Sequence, residues 1–238
     1  MSVVSGSRDA LRQRRLYGRR RGRALRPGQR ALIDKLLPRL RFSLPEGGGL
    51  LEPQRLFAFS CSEVWLEIGF GAGEHLVAQA AARPATGMIG CEVFEPGIAR
   101  LLAEVERRGL QNIRLFTDDA RLLAAALTPR SLDRAFILFP DPWPKERHKK
   151  RRIVSLEMLD DLAAAMTDGG ELRIATDDAD YAQWIAERLG AHADFELLAA
   201  GERPADWPPT RYEQKAAAAG HAARLFRGRR RVRAGVEP

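Results

Sequence analysis

Residues Pro140–Ile153 read Pro-Asp-Pro-Trp-Pro-Lys-Glu-Arg-His-Lys-Lys-Arg-Arg-Ile, and their types and spacing point to chemistry on an anionic substrate. Three prolines within five residues exclude a helix interior or a central strand, because each removes a backbone N–H and fixes φ. The turn they enforce follows the apolar run Leu132–Phe139, which reads as a buried strand. Asp141 and Trp143 therefore stand at a strand end, where open α/β sheets bind ligands. A carboxylate and a flat aromatic followed by six Lys/Arg among residues 145–152 suit a polyanion that carries a planar base. The competing structural reading is a proline-rich loop beside a solvated charge run.

A second constellation lies upstream. Glu67-Ile68-Gly69-Phe70-Gly71-Ala72-Gly73 joins an apolar run to a helical one. Glycines there let the backbone approach a ligand, and the helix start behind them offers free N–H groups. The dinucleotide fingerprint Gly-x-Gly-x-x-Gly is not met, since Glu74 stands where its third glycine belongs. Glu67 would repel a pyrophosphate but attract an amino group or a sulfonium. Glu92 closes the next apolar run, 25 residues on, where a carboxylate accepts from ribose hydroxyls. Asp119, in Thr117-Asp118-Asp119-Ala120 after the third run, is placed to accept from an adenine amino group. Each acid alone is equally a helix N-cap. Three of them at successive strand ends, with the glycine turn, favour S-adenosyl-L-methionine over a nicotinamide as cofactor.

These residues need a scaffold, and the pattern supplies one. Strands are predicted at Val64–Ile68, Met88–Val93, Ile113–Phe116, Ala135–Phe139, Glu171–Ala175 and Phe195–Leu198. Helices are predicted between them at Glu74–Ala82, Pro96–Arg108, Arg121–Leu127, Ser155–Met166 and Asp178–Leu189. Such alternation argues an α/β fold, a Rossmann-like doubly wound sheet with helices on both faces. A short helix over Gln29–Leu40, a loop-rich Leu44–Ser62 and a last strand near Arg224–Arg227 complete the pattern. With no internal repeat, the expected organisation is a basic N-terminal arm over residues 1–30 and a single domain over 31–238.

The net charge of +8 is unevenly spread. Residues 8–30, 145–152 and 224–233 together hold 22 Lys/Arg and two acids, leaving 17 basic and 29 acidic residues elsewhere. Segregation of this kind suits contact with nucleic-acid phosphates, and arginine's planar fork fits phosphate. The arginine-rich N-terminus also has the composition of an organelle transit peptide, but Gly18, Gly22, Pro27 and Gly28 interrupt any long amphipathic helix and favour an arm. Cys61 and Cys91 form neither a metal spacing nor a disulfide framework, and His75, His192 and His221 add no metal set. His148, inside the cationic block, reads as a phosphate or backbone contact. Trp65, Trp184 and Trp207 read as packing. No stretch of about 18 apolar residues occurs, so no membrane span is expected, and a soluble cytoplasmic protein is. Oligomeric state, monomer or homodimer, is left open.

With these residues in view, the chain from Tyr17 to about Phe226 resembles the bacterial tRNA (guanine-N7-)-methyltransferases of the TrmB family, which are class I S-adenosylmethionine-dependent methyltransferases. The resemblance rests on Leu66–Gly73, Gly90–Glu92, Asp119-Ala120, Phe139–Ile153, Ala175–Asp177 and Thr210–Lys215. Arg224–Arg233 is more basic than the family's usual end, and Ala216–Ala219 is blander. The resemblance implies methyl transfer from S-adenosylmethionine to N7 of guanosine 46 in the tRNA variable loop. It implies that Glu67, the turn of Gly69, Gly71 and Gly73, Glu92, Asp119 and Ala120 hold the cofactor, and that Asp141 lies where methyl donor and guanine meet. Lys145, Asp177, Thr210, Arg211, Tyr212 and Glu213 match the family's substrate-binding positions.

Guanine N7 carries an in-plane lone pair and no proton at neutral pH, so its methylation requires alignment and exclusion of water rather than a general base. Asp141 can orient the guanine through its N1–H and amino donors, or stabilise the cationic methylated ring. Asp177 can serve either role. Trp143 can stack on the base or pack against its own prolines. Two other classes compete. A non-enzymatic RNA-binding protein would share the basic patches but would not need three acids at strand ends. An amino-methyltransferase for adenine or cytosine would carry an Asn/Asp-Pro-Pro-aromatic turn, whereas here Trp143 follows a single proline.

Overall fold

The computed structural model describes residues 18–198, 203–208, 213–214, 217 and 222–233. They divide after Thr128 into two compact units.

In the N-terminal unit three parallel strands lie in the order β3-β2-β1: β1 (Glu63–Ile68), β2 (Thr86–Cys91) and β3 (Ile113–Phe116). Apart from Glu63 and Arg114 their residues are buried. That is why these strands read as continuous apolar runs rather than alternating ones. The N-terminal helices are α1 (Pro27–Lys35) and α2 (Leu37–Leu40). The single helix expected over Gln29–Leu40 is broken at Leu36, because Pro38 has no N–H to bond back to the Asp34 carbonyl. Phe42 then donates its N–H to Leu115 and sets its ring 5.6 Å from that of Phe116, which ties the segment to β3.

Between the strands lie α3 (Glu74–Ala82), α4 (Glu95–Arg108) and α5 (Ala120–Ala126). Helix α4 carries Pro96 in its first turn and ends at Gly109 in the left-handed conformation, so it is punctuated at both ends by residue type. Its Ile98, Leu101, Leu102 and Val105 are buried at helical spacing.

The C-terminal unit holds β4 (Leu132–Leu138), β5 (Met166–Thr176), β6 (Phe195–Leu197) and β7 (Arg224–Arg230), in the order β4-β5-β7-β6. β4 and β5 are parallel, while β7 runs antiparallel to both β5 and β6. β5 begins five residues before the expected Glu171, because Met166 pairs with Leu132 across a register shift. Helices α6 (Leu156–Ala165) and α7 (Ala179–Ala191) are N-capped by Ser155, which accepts from Met158 N–H at 3.3 Å, and Asp178, which accepts from Tyr181 N–H at 2.7 Å. Among the described residues no helix is long and apolar enough to cross a membrane.

Candidate active site

In the N-terminal unit the strand ends bring the predicted cofactor residues together. Gly69, Gly71 and Gly73 all have positive φ, at 74°, 55° and 78°, as a tight turn between β1 and α3 requires. Their roles then part. A Cβ at Gly69 or Gly71 would meet nothing within 4 Å, so both face open space where a ligand can approach the backbone. A Cβ at Gly73 would lie 2.1 Å from Leu101 Cδ1, so this glycine lets α3 pack on α4.

Glu67 is buried, with 3% of its surface exposed, and accepts a 2.8 Å bond from His75 on its Oε2. Glu92, just past β2, accepts from the N–H groups of Val93 (2.7 Å) and Phe94 (2.9 Å) on Oε1, and from Gly71 N–H (2.9 Å) on Oε2. It thereby ties the glycine turn to the start of α4. Asp119 caps α5, accepting from Arg121 N–H at 3.0 Å while its two oxygens receive the Arg121 guanidinium. The cap and the site reading thus fall on one residue. Ala120, the first residue of α5, is buried.

The Cys91 thiol reports the charge gathered here. Burial first, then the charges of Glu92, Asp119 and Asp118, push its pKa well above the ordinary thiol value. A glycine turn open to solvent and three anchored acids on neighbouring strand ends fit a cationic amino acid joined to a nucleoside, the chemistry of S-adenosylmethionine.

In the C-terminal unit β4 runs into the proline turn through Phe139 (φ 51°), and the turn closes through Trp143 (φ 45°). Two non-glycine residues in the left-handed region within five positions are strained, and such strain clusters at ligand sites. Asp141 between them is exposed and has no hydrogen bond or ion pair among the described residues. Its charge is felt at Tyr181, whose hydroxyl is raised by burial first and by Asp141 among the lesser contributors.

The cationic block splits in two. Arg152 is buried: it donates to Pro142 O at 2.8 Å, pairs with Asp180, and lies 4.7 and 5.0 Å from the ring centroids of Tyr181 and Trp184. Lys149 pairs with Glu146 and Asp180, and Arg151 lies 4.9 Å over Trp143. Arg152 thereby holds the turn against α7. Lys145, Arg147 and Lys150 remain exposed. Trp143 also meets His148 edge-on at 5.9 Å, so two of its ring partners come from the cationic block. Burial, followed by the surrounding cations, holds the His148 pKa below the ordinary value.

Asp177 follows β5 half-buried, beside the capping Asp178. Thr210, Arg211 and Tyr212 lie outside the described residues, while Glu213 pairs with Arg203. Arg203 also donates to Trp207 O at 3.1 Å. Asp206 pairs with Arg134 at 2.5 Å and with the buried Arg173 at 2.8 Å. Burial alone would raise the Asp206 pKa, but hydrogen bonds from Arg173 and Arg134 bring it to about 2. Trp207 is buried, with Arg173 and Arg203 at 5.6 and 5.5 Å from its ring. This anchor, whose Arg203 pairs with Glu213, was not among the expected site residues. Its one signal is charge inside an apolar strand, at Glu171 and Arg173.

Three arginines of the basic tail are paired within the C-terminal unit. Arg227 pairs with Glu171, Arg230 with Asp194 at 3.0 Å, and Arg233 with Asp168. Arg230 and Arg233 both donate to Ala163 O, and Arg233 also to the carbonyls of Ala164 and Met166, capping the C-terminal end of α6. Arg227, Arg230 and Arg233 are therefore engaged within the protein, while Arg224, Arg229 and Arg231 are exposed. Among the described residues no group of three or more His, Cys, Asp or Glu is placed to hold a metal.

The family described as "Putative methyltransferase" matches residues 62–225. The tRNA (guanine-N(7)-)-methyltransferase of Paramagnetospirillum magneticum is 52% identical over 94% of this chain and 96% of its own length. That of Rhodospirillum rubrum is 48% identical over 92% and 89%. Among solved structures, the 16S rRNA methyltransferase KamB superposes with a TM-score of 0.54 at 18% identity, covering 72% of this chain and 89% of its own. The precorrin-6y C5,15-methyltransferase of Geobacter metallireducens gives 0.51 at 12% identity, covering 79% and 95%. These two speak for the fold alone. The glycine turn, the anchored acids and the proline turn thus sit in an S-adenosylmethionine-dependent methyltransferase fold, and the chain belongs to the tRNA (guanine-N7-)-methyltransferase family.

Proposed function

We propose that this protein transfers the methyl group of S-adenosyl-L-methionine to N7 of guanosine 46 in the variable loop of tRNA, acting in the cytoplasm as one methyltransferase domain over residues 31–238 with a basic arm over 1–30. The observation that carries the reading is Asp141, an exposed carboxylate with no hydrogen bond or ion pair among the described residues, in a strained turn after β4. Identities of 52% and 48% to tRNA (guanine-N(7)-)-methyltransferases over nearly the whole chain support it.

The cofactor supplies an electrophilic methyl group. Glu67 takes its amino group, the open turn at Gly69 and Gly71 lets its amino-acid end approach the backbone, Glu92 accepts from the ribose and Asp119, with Ala120, from the adenine. Gly73 keeps α3 close enough to α4 for that turn to form. Asp141 accepts from guanine N1–H and the exocyclic amine, which fixes the ring with N7 presented, and its charge offsets the positive charge that develops on the ring. No proton leaves N7, so Asp141 need not act as a base. Lys145, Asp177 and the Thr210–Glu213 segment hold the tRNA, with exposed Arg147 and Lys150 adding phosphate contacts.

The test uses radiolabelled S-adenosylmethionine with two unmodified tRNA transcripts, one of them carrying adenosine in place of guanosine 46. Labelled 7-methylguanosine from the first and none from the second is expected. Equal 7-methylguanosine from both would move the target to another guanosine. Label on any other base would discard the N7 assignment.

A further inference from the structure

The face of α3 turned toward β1 carries a chain of side chains that ends on Glu67. His75, Gln79 and Arg83 follow at i, i+4 and i+8, so they stack along one side of the helix. Arg83 donates to Gln79 Oε1 at 2.7 Å, Gln79 Nε2 lies 3.1 Å from His75 Nε2, and His75 Nδ1 lies 2.8 Å from Glu67 Oε2. Arg83 is steadied in turn by Trp65, its guanidinium 4.8 Å from the ring centroid, while the indole N–H donates to Glu63 at 2.7 Å.

The chain has one polarity. A guanidinium only donates, so the oxygen of Gln79 faces Arg83 and its NH2 faces His75. His75 Nε2 must then accept, which places the imidazole proton on Nδ1, where it donates to Glu67. The side chains of His75 and Glu67 are 1% and 4% exposed, so this bond forms away from bulk water, where a hydrogen bond to a carboxylate is strong and its loss costly. The Glu67 carboxylate accepts no other hydrogen bond among the described residues, and its second oxygen stays available.

We propose that His75 is a positioning residue for cofactor binding: held by Gln79 and Arg83 in one ring orientation, it fixes Glu67 by one carboxylate oxygen and keeps the other for the cationic amino group of S-adenosylmethionine. This rests on the reading of Glu67 as the acid that takes that amino group.

The experiment measures dissociation constants by calorimetry for the full chain and for His75→Phe, His75→Asn, His75→Gln and Glu67→Gln. Two ligands are used: S-adenosylmethionine, and methylthioadenosine, which lacks the amino-acid end. Losing one buried charge-assisted bond should weaken S-adenosylmethionine by about tenfold in His75→Phe and leave methylthioadenosine unchanged. The amide nitrogen of Asn reaches the place of Nδ1, whereas that of Gln reaches the place of Nε2. His75→Asn should therefore bind within about threefold of the parent, while His75→Gln behaves as His75→Phe. If His75→Phe does not fold, the Asn and Gln variants carry the test, and equal affinities between them would overturn the proposal. So would a His75→Phe that weakens both ligands alike, the mark of a merely structural role. Weakening by Glu67→Gln with none by His75→Phe would leave the reading of Glu67 intact and remove His75 from it. Unchanged affinity in Glu67→Gln would end that reading, and the proposal with it.

Discussion

The acids of the N-terminal unit and the acid of the proline turn are treated oppositely by the fold. Glu67, Glu92 and Asp119 are each fixed by donors from the chain itself: a histidine, three backbone N–H groups and an arginine. Asp141 is exposed and has no such donor among the described residues. Carboxylates that hold a cofactor benefit from being fixed in advance, since their ordering cost is met in folding. A carboxylate that takes a substrate base must keep its lone pairs for it. The same division runs through the cations, where Arg152 is buried in the structure and Lys145, Arg147 and Lys150 face solvent.

Each side of this comparison can be broken separately. Asp141→Ala should lower methylation about 10²–10³-fold at an unchanged urea midpoint, since an exposed side chain with no hydrogen bond or ion pair among the described residues contributes little to the fold. Equal losses of stability and turnover would make Asp141 structural. Next in size, Arg152→Ala should cost about 2–4 kcal/mol in urea unfolding, through its bonds to Pro142 O and Asp180 and its stacking on two aromatics.

Lys145, Arg147 and Lys150 changed together to Ala should leave stability within about 0.5 kcal/mol while lowering the log–log salt slope of tRNA binding by about two. An unchanged slope would make these cations a solvated surface. The smallest effect belongs to Asp206. Its folded-state pKa of about 2 lies below the ordinary 3.8. The stability it contributes is thus present above about pH 4 and lost as pH falls toward 2. Asp206→Asn should flatten that limb of the stability–pH curve.

How much of this was legible depended on whether the determinant was local. Helix Glu74–Ala82 and strand Ile113–Phe116 were readable to the residue, because Gly73 and the ends of an apolar run mark their limits. The early start of β5 was not, since Met166 joins the sheet only by pairing with Leu132 far back in the chain. The glycine turn and the proline turn were legible for the same local reason. The arginines were not: a run of like charge reads as surface, and the partners that take Arg152, Arg230 and Arg233 inward stand 28 to 65 residues away. His75 fits no metal spacing in the sequence, and only the turn of a strand into a helix folds it back onto Glu67.

The division of labour between held and open acids is tested most directly by comparing Glu92→Gln and Asp141→Asn in two quantities: affinity for S-adenosylmethionine, and the single-turnover rate of methyl transfer to tRNA at saturating cofactor. The account predicts that Glu92→Gln weakens affinity about tenfold or more yet keeps most of the saturated rate, while Asp141→Asn keeps affinity within about threefold and loses most of that rate. If both substitutions move the same quantity, the two kinds of acid do one job, and the division drawn here is wrong.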